Sequence, residues 1–193
     1  MINLSILLLT ALFWLLFMGR TVILMWQGVK VFVIAKGKRL REKLIELALV
    51  PLLILWSVQI VFTSLGKPLF GLPLLWDISA VQWIGLTLCA VGIVIFIAAL
   101  ISFGTAWRVG IDDKNSNRLV TTGMFKYSRN PIFLFMNMYF FGVFLVYPTL
   151  FFLLFSIGFS VGIHIQILNE ERFLQSKFGT EYTEYRKRTR RYI

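Results

Sequence analysis

The sequence predicts an all-α integral membrane protein with five transmembrane helices, a cytoplasmic loop and a C-terminal interfacial helix. Of its 193 residues 58% are hydrophobic and 15% charged, with a mean hydropathy of +0.79, a balance that makes lipid the main solvent. Its apolar runs approach or exceed the roughly 20 residues that a helix needs to cross a hydrocarbon core. None shows the alternation of a barrel strand, so helices must satisfy the backbone inside lipid. The cations also cluster in a way that only one number of crossings explains.

The runs are 2 towards 35, 44–65, 81–103, 132–146 and 150–168, the fourth being short. The first exceeds one crossing and is interrupted by Gly19-Arg20, which predicts a long or kinked helix whose end, from Trp26 to Ala35, lies near the interface. No basic stretch precedes it, so it is expected to stay in the mature protein. Lysine and arginine fall at 30–43, 108–129 and 172–191, with only Arg20 and Lys67 elsewhere. Five crossings put all three clusters on one side, which the positive-inside rule makes cytoplasmic, with the N-terminus outside and the C-terminus inside. A sixth crossing, cut at Arg20, would place the 36–43 cluster outside.

The net charge of +11 flanks membrane segments and fits topology and anionic headgroups, so nucleic acid is not expected as a partner. Cys89 is the only cysteine and His164 the only histidine, which leaves neither a disulfide nor the ligands of a zinc site. Within 1–103, a three-span scaffold, Ser57, Gln59, Gln82 and Thr87 are expected to bond helix to helix. Residues 104–193 change character. A polar turn at 112–117 lies in a loop bracketed by Trp107 and Phe125. Arg129-Asn-Pro131 then opens the fourth span, with proline in the first helical turn.

Tyr147-Pro148 predicts a tight turn, so spans four and five form a hairpin that returns Glu170 and Glu171 to the side of Arg129. Beyond them Phe173, Leu174, Phe178, Tyr182 and Tyr185 recur at spacings of three and four. That spacing marks an amphipathic interfacial helix, interrupted at Gly179, that roofs a pocket.

Leu119-Val-Thr-Thr-Gly-Met-Phe-Lys-Tyr-Ser-Arg-Asn-Pro131, followed by Glu170-Glu-Arg-Phe-Leu174 and Phe178-Gly-Thr-Glu-Tyr182, resembles the signature of the isoprenylcysteine carboxyl methyltransferase and phospholipid methyltransferase superfamily. The chain has Asn130 where histidine is common and Phe125 where tyrosine is usual. The arginine that eukaryotic members place just before the paired glutamates is replaced by a stretch reading His164-Ile-Gln166. The resemblance implies one membrane domain, whose part 104–193 carries a cofactor-binding loop, and transfer of a methyl group from S-adenosylmethionine to a lipophilic acceptor that enters from the bilayer. It implies Leu119, Val120, Gly123, Phe125, Tyr127, Asn130, Pro131, Glu170, Glu171 and Tyr182 as cofactor-binding residues, and Glu170, Arg129 and Arg108 as catalytic ones.

S-adenosylmethionine combines an adenine, a ribose diol, a zwitterionic tail and a sulfonium, so its site needs apolar cover, hydrogen bonds and paired charges. On this reading Glu170 or Glu171 meets the α-amino group and Arg129 the carboxylate. Val120, Gly123, Tyr127 and Pro131 shape the nucleoside pocket, where glycine permits close backbone approach. Asn130 either bonds the nucleoside or caps the fourth helix. Arg108 either anchors a headgroup or recognises the acceptor. A carboxylate or thiolate acceptor needs no base, whereas an amine needs one, which Glu170 or His164 could supply. The alternative is a non-enzymatic lipid-binding scaffold or small transporter, in which the paired acids are solvated and Arg129 reaches phosphate.

Overall fold

The computed structural model describes residues 1–29, 31, 40–104 and 119–192. These form α1 (Ile2–Trp26), α2 (Leu40–Ser64), α3 (Ser79–Phe103), a 3-10 turn (Gly123–Lys126), α4 (Pro131–Val146) and α5 (Leu150–Arg188). No strand is present among the described residues. The chain is a helical integral membrane protein. Helices α1, α3 and α5 are long and apolar enough to cross a membrane, while the apolar part of α2, Val50–Ser64, and α4 are shorter. Leucines 4, 8 and 15 of α1 stay exposed, as expected of helices that are apolar all round and meet lipid on one side.

Of the two forms expected of the first run, a long helix or a kinked one, the long helix occurs, and α1 is continuous through Gly19-Arg20. It stops at Gly28, whose φ of +76° lets the backbone turn back on the helix. Gly28 N–H donates to Met25 and Val29 N–H to Leu24, both at 3.0 Å. These are the paired closing bonds of a glycine-terminated helix, which satisfy carbonyls left over by the last turn. Arg20 has its own use, since its guanidinium donates to the carbonyl of Gly104, directly after α3. A cation at that end complements the carbonyls of α3. Of the stretch from Trp26 to Ala35, expected near the interface, residues 30 and 32–35 lie outside the described residues.

α3 and α4 approach each other most closely, because small residues line their crossing. A Cβ placed on Gly142 would lie 2.5 Å from Cys89 Sγ and 2.8 Å from the Gly85 carbonyl oxygen. Without an aqueous driving force between helices, such contact and its dispersion energy hold them together. Gly142→Leu is therefore expected to destabilise the bundle by on the order of 1–3 kcal/mol through overpacking. Thermal unfolding in detergent checks this, with Val143→Ile, also buried but outside the glycine contact, as a comparison.

Next to this crossing Phe13, Phe96, Phe135 and Tyr139 pack as a ring cluster, Phe96 and Phe135 stacking at 4.5 Å. Of the four polar residues expected to join helices only Ser57 does, accepting from Trp14 Nε1 at 3.0 Å. Gln59 instead receives the N–H groups of Leu69 and Phe70 in the following loop. Gln82 donates to Asp77, and Thr87 to the Trp83 carbonyl within its own helix.

At the end of the bundle where α1 begins and α2 and α4 finish, Tyr147 Oη donates to Asn3 Oδ1 at 3.1 Å and shares a 2.7 Å hydrogen bond with Ser64. Leu75 N–H also donates to the Pro148 carbonyl at 2.7 Å, pinning the 65–78 loop to the α4–α5 turn. That three-residue turn makes the expected helical hairpin. α5 then continues as a single element through the expected interfacial segment, bent at Gly179, where φ is +50°.

Candidate functional site

The hairpin brings the two polar islands into contact. Arg129, just before α4, donates to Glu171 of α5 from Nε at 3.1 Å and Nη2 at 2.9 Å. Its Nη1 donates to the carbonyls of Arg186 and Thr189 at 3.1 and 2.9 Å. One guanidinium thus balances a carboxylate and also satisfies carbonyls at the end of α5. Arg191 completes the acid's shell, donating from Nε to Oε1 at 3.2 Å and from Nη2 to Oε2 at 2.8 Å. Burial alone would raise the Glu171 carboxyl, but the bonds from Arg191 and Arg129 outweigh it and hold the group below its ordinary value of 4.5.

Residues 128–130 and 189–191 lie side by side through backbone contacts. Arg129 N–H donates to the Arg190 carbonyl at 2.9 Å, and Ser128 Oγ and Asn130 Nδ2 both donate to the Arg191 carbonyl. Asn130 is the N-cap residue of α4 by position, yet its side chain makes no capping bond, being spent on the 191 carbonyl. Pro131 follows at the first helical position.

Leu119, Phe125, Tyr182 and Tyr185 are buried together, with Val120, Leu174 and Phe178 against them. Tyr185 Oη donates to the Phe125 carbonyl at 2.7 Å, and Phe125 meets Phe103 edge to face at 4.5 Å. Gly123 starts the 3-10 turn with φ +61°, and the close approach it permits is to Ser102 of α3, which fills the place a Cβ would need. Ser102 Oγ accepts from Met124 N–H at 2.9 Å and donates to the Ala98 carbonyl. The glycine thereby docks its segment on α3.

Tyr182 is almost fully buried and its hydroxyl has no hydrogen-bond partner among the described residues. Burial, followed by the neighbouring Glu171 charge, pushes it up to about 12, so it is a neutral donor at any physiological pH. Glu170 is half-buried and accepts from Gln166 at 3.3 Å. Tyr127 is 65% exposed and does not join the cluster. Arg108 lies outside the described residues.

A hollow beside this region is displaced from the Arg129–Glu171 contact. It is a broad cavity of about 520 Å³, open on one side, between α4 and α5, and its described lining is Leu134, Asn137, Ser160, Val161, His164, Ile165 and Tyr192. His164 Nδ1 and Tyr192 Oη share a 2.9 Å hydrogen bond, and Ser160 Oγ donates to Asn137. Its size is that of a small-molecule site.

Sequence reasoning placed Tyr185 on the amphipathic face but missed Ser102, Arg191 and Tyr192. Ser102 lacked any signal beyond being polar in an apolar setting. The pair at 191–192 was masked by a basic run that reads as surface charge.

Residues 80–181, a little over half of the chain, match the family model for phospholipid methyltransferase. The match begins at the start of α3 and ends after Gly179, so it takes in the hairpin and both halves of the Arg129–Glu171 pair. Searches of curated proteins and of solved structures returned no match.

Proposed function

The chain belongs to the phospholipid methyltransferase family, and from that premise we propose that it transfers a methyl group from S-adenosylmethionine to a lipophilic acceptor reaching it through the bilayer. The observation that carries this reading is the Arg129–Glu171 pair, which unites the two polar islands where membrane helices emerge from lipid. The residues fit the donor in kind. Leu119, Val120 and Phe125 supply apolar cover, and the Tyr182 hydroxyl, which has no partner among the described residues, offers a hydrogen bond to a polar group.

The charges divide differently from a simple pairing of acid with ammonium and arginine with carboxylate. Arg129 and Glu171 neutralise each other and are committed to holding the corner. Glu170 is then the carboxylate for the donor's ammonium, and Arg191, whose side chain is one-third exposed, presents the guanidinium for its carboxylate. When bound, the donor supplies a methyl group already activated by a sulfonium. The protein's share is to align the acceptor and exclude water. We place the site on the cytoplasmic side of five crossings, following the basic clusters.

Calorimetry on the detergent-solubilised protein tests the reading directly. Saturable binding of S-adenosylmethionine and of its demethylated product is expected, weakened at least tenfold by Glu170→Gln. A lipid-binding scaffold would show no such binding to either compound.

A further inference from the structure

We propose that the cavity between α4 and α5 is the acceptor subsite, with His164 as its proton acceptor, and that the acceptor's nucleophile therefore carries a proton to lose, as an amine or phenolic hydroxyl does. This rests on the methyltransferase reading and deepens it. The cavity belongs to the corner already described. Leu134 stands one helical turn beyond Asn130, and its N–H donates to the Asn130 carbonyl. His164 and Glu171 are seven residues apart on α5, about two turns and so on nearly the same face, some 10 Å along the axis. Consecutive tail residues reach both, Arg191 to Glu171 and Tyr192 to His164.

Charge complementarity selects the occupant. Among the described residues that line it there is neither lysine nor arginine. A carboxylate would be desolvated there with no counter-charge from the described lining, which counts against a prenylated cysteine carboxylate. The walls formed by Leu134, Val161 and Ile165 suit a hydrocarbon chain. The polar side chains among the lining are paired, Ser160 with Asn137 and His164 with Tyr192. When Nδ1–H donates to Tyr192 Oη, the other ring nitrogen, Nε2, holds a lone pair.

In the step that follows, the acceptor N–H or O–H gives its proton to Nε2. The nucleophile's electron pair forms a bond to the methyl carbon while the carbon–sulfur bond breaks. Those electrons return to sulfur, leaving a neutral thioether. The imidazolium, steadied by Tyr192 Oη, then gives its proton to water.

The test uses the full chain in phosphatidylcholine nanodiscs, labelled S-adenosylmethionine, and three acceptors: dodecylamine, para-dodecylphenol and N-acetyl-S-farnesylcysteine. Binding of the demethylated cofactor is measured alongside. Transfer to the amine or the phenol is expected, the two arms separating nitrogen from oxygen. His164→Ala should lower kcat by about 100-fold or more with cofactor affinity unchanged. Leu134→Trp, which fills the cavity, should raise the acceptor KM and leave cofactor affinity intact, and it carries the test if His164→Ala fails to fold. Transfer to the carboxylate alone or to none of the three, full activity in His164→Ala, or an unaltered KM in Leu134→Trp overturns the proposal. If the wild type binds no cofactor, it is the methyltransferase reading itself that fails.

Discussion

Glu171→Ala is expected to destabilise the protein by about 3–5 kcal/mol, the range for removing one partner of a buried ion pair, and to abolish methyl transfer. Both Arg129 and Glu171 have side chains under 10% exposed, so alanine leaves a guanidinium facing the site without its counter-charge. Arg191 is one-third exposed, can turn to solvent, and adds little to the cost. Thermal unfolding in detergent measures the loss. The double variant Glu171→Leu with Arg129→Met should recover a good part of it, because no unpaired charge then stays buried. Equal loss in the single and double variants would mean that the arginine's bonds to the 186 and 189 carbonyls, and not the pair, carry the stability.

The same carboxylate sets an acid limit. Its folded value lies below its ordinary one. Its contribution is therefore complete above the ordinary carboxylate range and is lost as the pH falls through the depressed value. The wild type should lose thermal stability on acidification below about pH 4.5 more steeply than Glu171→Gln.

Gly123→Ala should have the next largest effect. A left-handed backbone costs an ordinary residue about 1–2 kcal/mol. The added methyl would also meet Ser102 well inside contact distance, at a further 1–3 kcal/mol for overpacking. The change acts on function through position, since Ser102 holds Met124 and thereby the turn that carries Phe125 to Tyr182 and Tyr185. Cofactor affinity is expected to fall at least tenfold while the membrane bundle stays folded. Adding Ser102→Gly removes the collision but leaves the backbone strain and also loses the bond to Met124, so it should restore only part of the affinity. Full restoration would show that φ at 123 is not a constraint.

The hairpin was legible from the sequence because its determinants are local. Pro131 starts α4, Tyr147-Pro148 ends it, and apolar length does the rest, so Arg129 and Glu171 had to return to the same side. What Arg129 does there was not legible. Its partners at 186 and 189 are backbone carbonyls, which every residue possesses, and no side-chain pattern marks the ones that will be used. The same holds for the pairing of 128–130 with 189–191. The end of α1 was expected within 26–35 and falls at Trp26, although nothing in composition marked Gly28 as the residue on which the chain turns. Gly123 was singled out correctly as a place of close approach, although the group that approaches is Ser102. The placement of Glu170, Tyr182 and the cavity depends on side-chain packing at long range, which periodicity does not encode.

The clasp of Asn3, Ser64 and Tyr147 has a mechanical consequence. It joins α1, α2 and the α4–α5 turn at the far end of the bundle from Arg129, roughly 24 Å away along the sixteen residues of α4. The opposite end is tied as well, by Arg129 to Glu171 between α4 and α5 and by Arg20 to Gly104 between α1 and α3, so the rods are braced top and bottom like the legs of a trestle and resist sliding past one another.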